Sequence, residues 1–171
     1  AKNPGSADLA KIRLEYIEEL SNRLDEWTFE EATRLIDSEL SPSEKLIAIQ
    51  GVSHRMDLVD PELWADWFGK IEASSVNESP QYGFVLGWMR SDSVAAGKWL
   101  AQAPPAEMKN SLDFEYAFML SNQDPAKGME WAMRIPEGSI RAKAIPRLIK
   151  DWKAKDPSAA AAFAKEHDLP E

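Results

Sequence analysis

Apolar residues along this chain recur three and four positions apart, in runs separated by polar and turn-forming residues. Ile140, Ala144, Leu148 and Trp152 make one such run, and Met108, Leu112, Tyr116 and Leu120 make another. That spacing gathers the apolar side chains on one face of a helix and leaves the others to solvent. Shorter runs open on an aspartate: "DPELWADWF" at Asp60, "DSVAAGKWL" at Asp92, "DPAKGMEWA" at Asp124 and "DPSAAAAFA" at Asp156. Aspartate accepts hydrogen bonds from the free amides of a helix start, and proline at the next position has no amide to leave unpaired. Pro-containing breaks, "APPAE" (103–107) and "IPEGS" (135–139), then separate each short run from the longer one. The pattern predicts alternating helices of about ten and about fifteen residues. After the Asp60 run, the longer helix carries Phe84, Val85 and Trp88, with Ser79 as cap and Pro80 at its first position. Upstream, Thr28-x-x-Glu31 and Ser41-x-x-Glu44 read as capping boxes. Pro146 lies inside a long run and is expected to kink or restart that helix. No strand-like alternation persists beyond a few residues, so the predicted fold is all-α.

Asp60, Asp92, Asp124 and Asp156 are 32 residues apart, and an aromatic follows each seven residues later: Trp67, Trp99, Trp131 and Phe163. One step back, Thr28 takes the Asp place and Leu35 the aromatic one. A period of this length marks stacked supersecondary units, because a lone helical hairpin cannot bury its apolar faces. The expectation is one domain over residues 1–171. It comprises a flexible lead-in (1–7), an N-terminal helix (8–27) with Ile12, Tyr16, Leu20 and Leu24 on one face, repeats 28–59, 60–91, 92–123 and 124–155, and a C-terminal capping helix (156–171). The aromatic column is expected to be core, wedged between successive hairpins, each ring burying roughly 150–250 Å². The architecture expected is a right-handed-type α-solenoid of stacked hairpins.

A two-helix unit of this length resembles the tetratricopeptide-type α-solenoids. The phrase Asp-Pro-x-x-Ala-x-x-Trp is similar to that of bacterial helical-hairpin repeat proteins that carry it in tandem. The resemblance covers about residues 28–171, with a period of 32 against the tetratricopeptide value of about 34. The tetratricopeptide consensus is not matched residue by residue. What the resemblance implies is a surface that binds a protein or peptide, with no catalytic residues to carry over.

Charge narrows the partners. The formal net charge is −9, and only the segment 124–155 is positive, at +4. A chain this acidic lacks the basic footprint that nucleic acids and anionic membranes require. There is no cysteine, which excludes disulfides and thiolate metal sites. No apolar run approaches the length of a membrane span. The chain begins "AKNPGSAD" rather than with Met; the expectation drawn from this is an exported, periplasmic protein cut behind its signal peptide, with a fragment of a cytoplasmic protein as the alternative.

Candidate chemistry is sparse. His54 and His167 sit in different units without a neighbouring ligand, so no zinc site is expected. Asp57, Asp60 and Glu62 lack the alternation and central glycine of a calcium loop. Phosphate-binding glycine loops and nucleophile elbows are missing as well, and no cofactor is expected. Two surfaces stand out. Positions 3, 4, 7 and 11 of the Asp-led helices are expected to be exposed and to meet a partner: Glu62, Leu63, Asp66 and Lys70; Val94, Ala95, Lys98 and Gln102; Ala126, Lys127, Glu130 and Arg134. The second is a basic patch, Arg141, Lys143, Arg147, Lys150 and Lys153, with Lys155 beyond it. Its bland reading is a solvated helix pairing with Asp124, Glu130 and Asp156; its sharper one is docking of an acidic peptide, a lipid headgroup or an acidic unit of a partner.

The functional expectation is a non-enzymatic protein- or peptide-binding module. A structural or assembly spacer within a larger envelope or repeat array is the alternative, and an enzyme with an unrecognised site comes third. The chain starts on a helix in the second-helix place and ends on a first helix, so its ends are formally complementary. Charged residues around the lead helix (Lys11, Arg13, Glu15, Glu18, Glu19, Arg23) and the small residues of "PSAAAAFAKEHD" (157–168) read as caps. A monomer is expected.

Overall fold

The computed structural model describes residues 6–23, 26–52, 59–72, 75, 79–104 and 106–169. The described residues form helices and connecting turns, with no strand among them. The helices are α1 (Ser6–Asn22), α2 (Phe29–Glu39), α3 (Pro42–Val52), α4 (Pro61–Phe68), α5 (Pro80–Ser91), α6 (Ser93–Gln102), α7 (Glu107–Gln123), α8 (Pro125–Met133), α9 (Ser139–Lys155) and α10 (Pro157–Glu166). The chain divides into two compact units, Ala1–Ser93 and Val94–Glu171. No helix among the described residues is long and apolar enough to cross a membrane.

The predicted caps explain where several helices start. Thr28 and Glu31 complete a reciprocal capping box at α2, with the Thr28 amide donating to Glu31 Oε2 at 3.0 Å. Asp124 Oδ1 accepts from the Lys127 amide at 3.2 Å, and Asp156 Oδ1 from the Ala159 amide at 3.0 Å. Two expected caps differ. Asp60 adopts the left-handed conformation (φ 54°) and Ser79 is buried, and neither side chain caps its helix; Pro61 and Pro80 still occupy the first turn. Pro146 neither stops nor restarts α9, which runs unbroken through it. Pro146 and the residue four before it, Ala142, both lie on the exposed side, where water can take the carbonyl that proline leaves unpaired.

In the first unit, α1 packs on α3, α2 on α3, α3 on α5 and α4 on α5. An aromatic chain runs through it: Phe29 to Trp64 at 5.1 Å, Trp64 to Phe68 at 5.7 Å, Phe68 to Phe84 at 5.2 Å and Phe84 to Trp88 at 6.3 Å. α1 is shorter than the 8–27 expected, and its apolar face is only half used. Ile17 and Leu20 are buried, but Ile12 and Tyr16 are 56% and 43% exposed; Leu24 falls outside the described residues. The cause is that α3 covers one side of α1 and leaves the N-terminal turns open. The lead helix therefore presents apolar as well as charged residues to solvent.

In the second unit, α7 packs on α8 and α9, α8 on α9, and α9 on α10. Its core joins Ala117 of α7, Met129 and Ala132 of α8, Leu148 and Trp152 of α9, and Ala160 and Ala164 of α10. Small residues permit close approach here. A methyl group at Gly128 would stand 2.5 Å from Ser121 Cβ and 2.7 Å from the Ala117 carbonyl oxygen. Gly83, in α5, has open space around the same position.

Gly128→Ala should therefore destabilise the protein by about 1–3 kcal/mol, because backbone must move to admit the methyl. Gly83→Ala should be neutral or gain up to about 1 kcal/mol from helix propensity. Urea denaturation of both variants checks the pair; equal midpoints would contradict the close α7–α8 contact.

Candidate functional site

The Asp-led helices each bury one stripe and present another. α4 buries Trp64, Ala65, Trp67 and Phe68 and exposes Glu62, Leu63 and Asp66, with Lys70 exposed in the turn that follows. α6 buries Ala96, Gly97 and Leu100 and exposes Val94, Lys98 and Gln102. α8 buries Gly128, Met129 and Ala132 and exposes Lys127 and Glu130, with Arg134 exposed at its C-cap. Ala95 and Ala126 are half-buried. The charged candidates thus all face solvent, each set on its own helix. Some are already engaged within the chain: Lys127 Nζ lies 3.2 Å from Asp124 Oδ2, and the Arg134 guanidinium lies 4.5 Å above the Trp131 ring.

The aromatic column sits elsewhere than expected. The fully buried sites are the fifth and ninth positions of each phrase. At the eighth position Trp67 is buried, while Trp99, Trp131 and Phe163 are only half-buried. Trp131 and Phe163 reach back onto the preceding hairpin: Trp131 meets Tyr116 at 4.5 Å edge-on, and Phe163 meets Trp152 at 5.2 Å. An indole N–H drawn out of water needs a polar partner. Trp131 Nε1 donates to Asp113 Oδ1 at 3.1 Å, and Lys109 Nζ lies 2.5 Å from Asp113 Oδ2. The same triad recurs in the first unit, where Trp67 Nε1 donates to Asp37 Oδ2 at 3.3 Å and Lys45 Nζ lies 2.5 Å from Asp37 Oδ1. Sequence reasoning missed both carboxylates. The signal available was Lys109-x-x-x-Asp113, a helical ion-pair spacing with its acid on the stripe of Leu112, Tyr116 and Ala117.

A second polar node ties α1, α2 and α3 together. Arg13 Nε donates to Glu44 Oε1 at 2.8 Å, and Arg13 Nη2 donates to the Glu39 carbonyl at 2.6 Å. The Ser41 amide and hydroxyl donate to Glu44 Oε2 at 2.8 and 2.7 Å. Arg13 first, then Ser41, holds the Glu44 carboxyl well below its ordinary 4.5, at about 2. Ser21 Oγ also donates to the Ala48 carbonyl, from α1 to α3.

The basic patch divides in two. Arg141 is half-buried and donates from Nη1 to the Ile135 carbonyl at 3.2 Å, closing the turn before α9, and Lys153 is half-buried as well. Lys143, Arg147 and Lys150 are exposed. Arg147 lies 4.2 Å over the Phe118 ring of α7. The expected pairing with Asp124, Glu130 and Asp156 does not form; Asp124 and Asp156 instead cap α8 and α10. Those caps compete for the same carboxylates and keep them at helix starts.

His54 and Asp57 fall outside the described residues, and His167 is the exposed C-cap of α10, 4.2 Å from the Phe163 ring. Among the described residues, no group of three or more His, Cys, Asp or Glu is arranged to hold a metal ion. Comparison with protein-family models, curated protein sequences and solved structures finds no match to this chain.

Asp113, 3% exposed, and Asp37, its counterpart with a side chain 52% exposed, make a controlled pair. Asp113→Ala should cost about 2–3 kcal/mol, since it strands an indole N–H and an ammonium in a poorly solvated place. Asp37→Ala should cost about 1 kcal/mol or less. Chemical denaturation checks both; similar losses would mean burial does not set the worth of the triad.

Glu44 gives a pH prediction. A carboxyl whose folded pKa is depressed contributes its full stability above the unfolded value and loses it as pH falls through the folded one. The melting-temperature gap between the parent and Glu44→Gln should be constant above about pH 5 and close between pH 4.5 and 2. A gap that persists at pH 2 would contradict the Arg13–Glu44–Ser41 node.

Proposed function

We propose that this chain is a non-enzymatic protein- or peptide-binding module, an α-solenoid of helical hairpins repeating every 32 residues. The observation that carries the reading is the regular placement of its helices. α2, α4, α6, α8 and α10 open at Phe29, Pro61, Ser93, Pro125 and Pro157, each 32 residues after the last, and α5, α7 and α9 close at Ser91, Gln123 and Lys155 with the same step. Within each unit the longer helices pack on one another, α1 on α3, α3 on α5 and α7 on α9, a pattern that stacking hairpins produce. Each step also brings a similar stripe to the surface: Glu62, Asp66 and Lys70, then Lys98 and Gln102, then Lys127, Glu130 and Arg134. Exposed positions that recur at a fixed interval along the chain suit an extended partner read segment by segment.

The alternative, a structural or assembly spacer, is favoured by one feature. Leu9, Ile12 and Tyr16 of α1 are 53%, 56% and 43% exposed on one side of the helix, an apolar face of the kind that adheres to another surface.

Selection of a displayed peptide library on the immobilised protein tests the first reading. Enriched peptides should lose at least about tenfold in affinity to Asp66→Ala/Lys98→Ala/Lys127→Ala/Arg134→Ala, a loss several such contacts would sum to, while the melting curve stays put. No enrichment, together with light-scattering mass that climbs with concentration, would overturn it in favour of the assembly role.

A further inference from the structure

We propose that the exposed edge of α9 formed by Lys143, Arg147 and Lys150 is a docking surface for a short carboxylate-rich segment of another protein. The three residues are spaced i, i+4, i+7, so they fall within an arc of about 60° and rise about 10 Å along the helix. All three are exposed, and the core-facing side of α9 is taken by Ala144, Ile145, Leu148, Ile149 and Trp152.

Exposed cations without an ion pair to a described carboxylate also occur singly elsewhere, at Lys70, Lys98 and Lys165, but α9 gathers three on one edge. Lys11, Arg13, Arg23, Lys45, Lys109 and Lys127 each lie within ion-pairing distance of a carboxylate. No ion pair with a described carboxylate engages Lys143, Arg147 or Lys150, in a chain holding 29 acidic residues against 20 basic ones. The net charge is also unevenly divided. Residues 1–93 hold nine Lys and Arg against eighteen Asp and Glu, whereas residues 94–171 hold eleven of each. Six of the eleven cations fall on α9, with Asp151 as its only acid.

Arg147 is held in place. Its guanidinium lies over the Phe118 ring, which fixes one face of the fork and leaves less freedom to lose when a carboxylate binds its edge. Phe118, half-buried and 5.2 Å from Phe114, supplies apolar surface beside Arg147.

The same charges indicate which anion fits. A long polyanion or an anionic membrane meets the whole protein, and at −9 it is repelled. A short segment lies within about one Debye length of the stripe, and more distant acids are screened from it. In an extended chain, alternate residues on one side are about 6.7 Å apart; along α9 the cations rise by about 6 and 4.5 Å, so two or three carboxylates can be met at once.

These cations lie on α9, a different helix from those that carry the candidate positions of the first reading, so the two readings fail separately. The test is fluorescence anisotropy with the full chain and a labelled decapeptide alternating Glu and Ser, with a Gln/Ser peptide as control. The Glu peptide should bind, the Gln peptide should not, and raising NaCl from about 50 to about 300 mM should weaken binding several-fold. Lys143→Glu/Arg147→Glu/Lys150→Glu should weaken it by at least about tenfold. Lys70→Glu/Lys98→Glu/Lys127→Glu, with the same change in net charge, should alter it by less than about twofold. Should the first triple variant fail to fold by circular dichroism, the corresponding Gln variant should still weaken binding by at least about threefold. Equal loss in both triples would overturn the proposal in favour of overall charge, and loss only in the second would move the contact to the first-helix faces. Tighter binding to phosphatidylserine vesicles or to duplex DNA than to the peptide would overturn the choice of partner.

Discussion

Helices of eight to eleven residues are marginal by themselves in water, and α2, α4, α6, α8 and α10 are all of this length. Each one is stabilised by burying two positions four residues apart against a neighbour. The pairs are Ala32 and Ile36, Trp64 and Phe68, Ala96 and Leu100, Gly128 and Ala132, Ala160 and Ala164. The size of the residues in that pair sets how the helix meets its support. Trp64 and Phe68 hold α4 among rings, whereas Gly128 lets α8 come down onto the backbone of α7 at Ala117 and Ser121. One rule of burial thus yields an aromatic core in the first unit and a tightly apposed, small-residue core in the second.

Polar contacts act within that frame and give it direction. Apolar burial is nearly indifferent to a small rotation of one helix on another, but an indole N–H aimed at a carboxylate is not. Trp67 on Asp37 and Trp131 on Asp113 each lock a short helix to the hairpin before it, with a lysine balancing the carboxylate. Arg13 performs a related task, bridging the end of α2 and the start of α3 from α1. In every case the carboxylate is drawn to a place where it meets both a donor and a cation.

The surface that remains is sorted by charge. Acids predominate in residues 1–93, while the second unit is balanced overall and concentrates its cations on α9. The acids that are expected to neutralise α9 are instead spent as helix caps at Asp124 and Asp156. A demand of local structure, the unpaired amides at a helix start, thereby leaves a cationic edge open to a partner.

Much of this protein is written in its sequence. Helical content, the placement of most helix starts and the outward position of Glu62, Asp66, Lys98, Lys127 and Glu130 follow from residue type and spacing, because caps and amphipathic stripes act over four or fewer residues. The basic run of α9 is legible for the same reason. Contacts between helices decided the rest. That Trp99 and Trp131 are half-buried, that Ile12 and Tyr16 face outward, and that Lys143, Arg147 and Lys150 meet no described carboxylate while Arg141 is used internally depends on which neighbour covers each face. Asp113 is the clearest case. By type and charge it reads as a solvated helix residue, and only the arrival of Trp131 from eighteen positions along the chain makes it a buried acceptor. A periodic sequence states which faces are apolar, but the distance and rotation between helices decide how much of each face is covered.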